Sequence, residues 1–142
     1  MSIFNQGLDK HTMGIATQLN KDYTELIISG RIATDLLYTA IGDIINESLL
    51  RRHSGFLINV TESDILPPFS VMERLADIIG STGKGKIMRV AILVAHEVRY
   101  GRARQLGIFL EKYDIAASPF YDRADAITWL LGKKPESGTS SG

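Results

Sequence analysis

The last third of this chain, Arg89 to Leu131, constrains the fold most. An apolar run, RVAILVA, leads into HEVRYGRARQLGIFLEKY, then into DIAASPFY and finally DRADAITWLL. A β-rich apolar run, a helical pattern, a second short apolar run and a second helical pattern make a strand–helix–strand–helix unit. That order is the signature of a parallel α/β sheet.

The rest of the chain extends the same plan. Gly14 to Leu19 and Tyr23 to Ser29 flank Asn20-Lys21-Asp22 and read as a hairpin, because Asn and Asp tolerate the turn. Thr34 to Arg52 places Leu37, Ile41, Ile44, Ile45 and Leu49 on one helical face, with Gly55 as the expected stop. Phe56–Val60 is a short apolar strand, followed by a loop over 61–68. Ser70 with Glu73 three residues on fits a capping box, which predicts a helix from about Val71. The segment 80–85 is glycine-rich and closes that helix. The strand Met88–Ala95, the helix Glu97–Tyr113, the strand Ile115–Tyr121 and the helix Ala124–Leu131 follow.

The expected fold is thus one α/β domain, with about five mostly parallel strands, an antiparallel first strand and four helices. The strands have unlike faces. Val90, Ile92 and Val94 oppose Arg89, Ala91, Leu93 and Ala95, while Phe56, Ile58 and Val60 oppose Leu57, Asn59 and Thr61. A sheet covered on both sides reads as continuously apolar. The mixed face predicts helices mainly on one side and a partly open second side. Residues 1–12 are expected to form a flexible arm, 13–132 the domain and 133–142, KKPESGTSSG, a disordered tail.

Composition narrows the function classes. The chain has 142 residues, 44% of them hydrophobic, which suits a single domain. It has no cysteine, so disulfides and thiolate chemistry are excluded, and a cytoplasmic setting is expected. Basic and acidic residues both number 16, so no phosphate-backbone partner is expected. MSIFNQGLDKH lacks the layout of a signal peptide, and no apolar run reaches membrane-span length. His11, His53 and His96 are too scattered for a metal site, and no cofactor is expected.

Three residue patterns carry the resemblance. They are Arg89-Val90-Ala91-Ile92-Leu93-Val94, the Gly101–Ala103–Arg104 helix core, and the ending Phe120-Tyr121-Asp122-Arg123-Ala124-Asp125-Ala126-Ile127-Thr128-Trp129-Leu130. With the element order over residues 13–131, they make the chain similar to the STAS fold of the anti-sigma-factor antagonists, in its SpoIIAA-like branch. The resemblance implies a non-enzymatic regulatory or interaction domain, expected to form homodimers through its open sheet face or an edge strand. In the antagonists a serine in an Asp-Ser-Gly type turn is phosphorylated after the strand matching Phe56–Val60. Here Asp64-Ile65-Leu66-Pro67-Pro68-Phe69-Ser70 stands there without the Ser-Gly pair. The fold also looks like the Sec14 lipid-binding domain, which implies a carrier or sensor of a small apolar ligand or lipid.

Several residues are candidates for chemistry. Ser70 and, less well placed, Ser63 are the candidate phospho-acceptors; Ser at an N-cap is equally the commonest cap. Phe69 is expected to staple the helix that follows it, or to belong to an exposed apolar patch. Phe69 and Met72, with Phe109 or Tyr100 opposite, are candidates to line an apolar pocket. Asp64, His96, Arg99 and Arg102 are the polar candidates near strand ends, where open α/β sheets place ligands. Arg99 and Arg102 can share a helix face and meet an anion, whereas Arg104 points away; a solvated helix face is the commoner reading of such arginines. A Ser–His–Asp hydrolase using His96 is a third reading, although no G-x-S-x-G elbow is present. Gly80-Ser81-Thr82-Gly83-Lys84-Gly85-Lys86 has P-loop spacing but closes a helix instead of opening one, so a glycine cap with solvated lysines is expected.

Overall fold

The structure, a computed structural model, describes residues 10–12 and 14–132. A single six-stranded sheet runs in the order β1 (Lys10–Thr12), β2 (Ile15–Leu19), β3 (Thr24–Gly30), β4 (Gly55–Ser63), β5 (Arg89–Leu93) and β6 (Ala116–Phe120). β1, β2 and β3 pair antiparallel; β3 to β6 pair parallel. The helices are α1 (Thr34–Leu50), α2 (Phe69–Thr82), α3 (Glu97–Leu110) and α4 (Arg123–Leu130). A 3₁₀ turn, Glu111–Tyr113, prolongs α3. The five expected strands are present. The sixth is Lys10–Thr12, from the stretch expected to be a loose arm; residues 1–9 and the expected tail, 133–142, lie outside the described residues.

Alternation along the strands sorts the helices. Leu26, Ile28, Phe56, Ile58, Val90 and Ile92 face α1, α2 and α3 in the main core. Leu57, Ala91 and Leu93 face the other way and are covered by Ala126 and Leu130 of α4. Three helices therefore lie on one side and one on the other. The second face is mixed because it holds a buried polar cluster. Glu25 is fully buried there, takes two hydrogen bonds from the Arg123 guanidinium at 2.8 and 2.6 Å, and a third from Asn59 Nδ2 at 3.1 Å.

Some boundaries differ from the sequence reading, each for a physical reason. α1 ends at Leu50, and Arg52 takes the left-handed conformation, φ 60°, that turns the chain out of the helix. Gly55 is not the helix stop but the first residue of β4, where a Cβ would lie 2.6 Å from the Arg89 carbonyl oxygen. α2 starts at Phe69, after Pro68. Ser70 is therefore inside the helix rather than its cap, and Phe69, 56% exposed, is not a buried staple. Proline fixes its own φ and so sets the N-cap one residue before Phe69.

β4 also runs past Val60 to Ser63. Its pairing with β3 slips between Ile27↔Asn59 and Ser29↔Glu62, so β4 carries one extra residue, a bulge. Asn59 Oδ1 holds the bulge by accepting from the Thr61 N–H at 3.0 Å and the Thr61 hydroxyl at 2.7 Å.

Candidate functional site

A cavity of about 80 Å³ lies between α1, α2, α3 and the carboxyl halves of β3, β4 and β5. Its walls are aliphatic: Leu37 and Ile41 from α1, Met72 and Leu75 from α2, Ala103 and Leu106 from α3. Helical spacing explains this lining, since residues three or four apart share one face. The loop residues Ile65, Leu66 and Pro67 close one side.

The β4 bulge decides what the sheet contributes. Without the extra residue, alternation would send Ile58, Val60 and then Glu62 toward the helices. With it, Ile58, Val60 and Ser63 line the cavity, and Glu62 is exposed. The bulge thus keeps a carboxylate out of an apolar chamber. Ser63 is itself buried, and its Oγ accepts from the Ile65 N–H at 3.2 Å.

The charged groups on the wall are Arg99 and Arg102, both half-buried and one helical turn apart. Their Nε atoms are buried with no hydrogen-bond partner. Neither forms an ion pair among the described residues. The Arg102 guanidinium stands 5.4 Å from the centre of the Phe69 ring, which is exposed beside the cavity.

Of the candidates expected at an apolar pocket, Met72 alone forms part of the wall. Phe69 contacts it through Arg102, Tyr100 stacks on Tyr121 at 4.9 Å, and Phe109 packs against the core away from the cavity. Aromatic residues were expected to line the chamber because of their position in the sequence; aliphatic side chains from three helices, three strands and the 65–67 loop fill that role. Among the polar candidates, Arg99 and Arg102 come together at the cavity. Asp64 is exposed, its N–H donating to the Gly30 carbonyl at 2.8 Å. His96 is exposed at the N-cap of α3 and makes no side-chain cap bond.

The triad that His96 would need is not assembled. The Ser63 hydroxyl is engaged with its own loop, and Asp122 caps α4 by accepting from the Asp125 N–H at 3.1 Å. Ser70 is exposed in the first turn of α2. The P-loop-like segment closes α2 at Gly83, whose N–H donates to the Ile79 carbonyl at 2.9 Å, as expected of a glycine cap. Among the described residues, no three His, Asp or Glu side chains gather as a metal site, and no helix is long and apolar enough to cross a membrane.

Two features escaped the sequence reading, one at the cavity and one on the opposite face of the sheet. The bulge could have been suspected from Asn59 and Thr61, two polar residues breaking an apolar run. The Glu25–Arg123 pair spans 98 residues, and only a hydrophilic residue inside the apolar run TELII hinted at it.

The chain is similar to a solved structure from Shewanella loihica PV-4, described as an uncharacterized protein of the DUF3478 family with a SpoIIAA-like fold. The two share 20% identity and a TM-score of 0.57, over 89% of this chain and 98% of that one. No family model and no curated protein matches the sequence. The fold is SpoIIAA-like.

Proposed function

We propose that this SpoIIAA-like domain is a non-enzymatic binding module that holds a small apolar ligand in the cavity between α2, α3 and the sheet. The observation that carries the reading is the cavity itself. The cavity is half open rather than sealed, and an apolar ligand gains by displacing water from its aliphatic walls. A Sec14-like carrier or sensor role follows from this reading.

A second reading is a module for a protein partner or a second copy of the chain. It is favoured by Leu66 and Phe69, apolar and exposed beside the cavity mouth. The two readings converge if ligand occupancy changes the 65–69 loop and the loop is what a partner meets. Phosphorylation at the exposed Ser70 would place charge beside the same loop; Ser63 could accept phosphate only after the loop opened, since it is buried.

Native mass spectrometry of protein purified from its host tests the first reading. The intact protein is expected to carry a small apolar mass that is lost on denaturation. Ala103→Met adds about the volume of the void and is expected to remain folded without that mass. Wild-type protein free of any adduct, or an adduct retained by the folded variant, contradicts it.

A further inference from the structure

We propose that the occupant of the cavity is an aliphatic chain of a few carbons ending in an oxyanion, bound with its head group on Arg99 and Arg102. The inference rests on the cavity reading above and adds the ligand's chemical class.

Size sets the tail. A cavity of about 150 Å³ holds benzene, so 80 Å³ holds roughly half of that. This admits a short alkyl group. The aliphatic walls offer nothing to a polar tail.

The unpartnered Nε donors set the head. A buried donor without an acceptor is costly, and native structures rarely keep one. Here two Nε donors, three residues apart on α3, are both buried and unpartnered where the helix forms the cavity wall. Guanidinium is permanently charged, and its fork of donors matches the oxygens of a carboxylate or phosphate. The other polar group on the wall, Ser63, has its oxygen turned to the Ile65 N–H and supplies no negative charge. Glu62, which could have neutralised the arginines, is turned out by the β4 bulge. An oxyanion from the ligand supplies what the chain withholds. The Phe69 ring lies 5.4 Å from the Arg102 guanidinium.

The test is calorimetric titration of the full chain with three series, n-carboxylates, n-alkyl phosphates and n-alcohols, each from four to ten carbons. Wild-type protein is expected to bind one of the anionic series at least about tenfold more tightly than the alcohol of equal length, as loss of a charged hydrogen bond implies. The preference should weaken as salt rises. Arg99→Met with Arg102→Met keeps the aliphatic stems and is expected to abolish the preference, so that anion and alcohol of equal length bind the variant alike. Which anionic series binds better identifies the head group as carboxylate or phosphate, and either supports the inference. Alcohols binding as tightly as anions, or a preference surviving in the double variant, overturns it and leaves the cavity reading intact. No binding by any series to wild-type protein overturns both. The wild-type comparison stands even if the double variant does not fold.

Discussion

At the scale of single residues, Tyr113 shows how one hydroxyl ties two helices. Its ring lies over Gly80 of α2, so closely that a Cβ there would sit 2.3 Å from the ring carbons. Its hydroxyl donates to Asp77 Oδ1 at 2.7 Å, and Lys112 Nζ lies 3.6 Å from the same oxygen. The hydroxyl bond, aided by Lys112, holds the Asp77 carboxyl below its ordinary pKa; the same bond pushes the Tyr113 phenol above its own. The signs set a pH window. Asp77, depressed in the folded state, adds stability above the unfolded carboxylate value near about pH 4, and that contribution disappears as pH falls through the folded value. Tyr113, raised in the folded state, adds stability fully present below about pH 10 and lost as pH rises through its folded value. Tyr113→Phe is therefore expected to melt below wild type at neutral pH, with the gap narrowing at both extremes. A gap unchanged from pH 3 to pH 11 in thermal melts would sink this account. None of it was legible in the sequence, because Tyr113 and Asp77 lie 36 positions apart and no local pattern joins them.

At the scale of elements, α4 is the informative case. It has eight residues, too few to be stable as an isolated helix, so packing must hold it. Trp129 lies against Phe120 with ring centres 5.5 Å apart, and the Arg89 guanidinium donates to the Trp129 carbonyl. The Trp129 anchor was readable from the sequence as a large apolar group in a short helix. The ion pair was not. Arg123 reaches from the first turn of α4 to Glu25 in β3, and the Glu25 bond raises the Arg123 pKa. Removing one partner of a buried pair leaves an uncompensated charge, which costs about 3–5 kcal/mol when both are buried. Arg123 is 44% exposed at its side chain, so Arg123→Met is expected to cost less, about 1–3 kcal/mol in denaturant unfolding. Adding Glu25→Gln should restore part of the loss, because the buried charge is then gone. A double variant no more stable than Arg123→Met would show that the pair is not what holds the element.

Helix starts also belong to this scale. Ser70 and Glu73 have capping-box spacing, yet Pro68 begins the helix earlier and Phe69 is carried to the surface. Two start signals overlapped, and the one that fixes a backbone angle prevailed.

For the whole molecule, periodicity alone was enough to reveal the βα order and the two unlike faces of the sheet. Apolar alternation in Phe56–Val60 and Val90–Val94 assigns each side chain to a face, and the faces are those observed. A pocket between the helix after Pro68 and the helix after His96 was expected from the resemblance, and of the four residues proposed to line it Met72 does. Its lining was not legible, because it depends on a one-residue bulge and on how three helices, three strands and a loop meet. That bulge sends Ser63 inward and Glu62 outward, which leaves Arg99 and Arg102 as the charged groups on an otherwise apolar wall.

The central claim is that this cavity is a ligand site. Methyl-resolved NMR of protein labelled at Ile, Leu, Met and Ala, titrated in turn with hexanoate, hexyl phosphate and hexanol, tests it most directly. The account predicts saturable shifts centred on Ile41, Met72, Leu75 and Ala103, with Leu57 and Leu93 on the opposite sheet face unmoved. Shifts centred on that opposite face, or no saturable shift at any methyl, would contradict it.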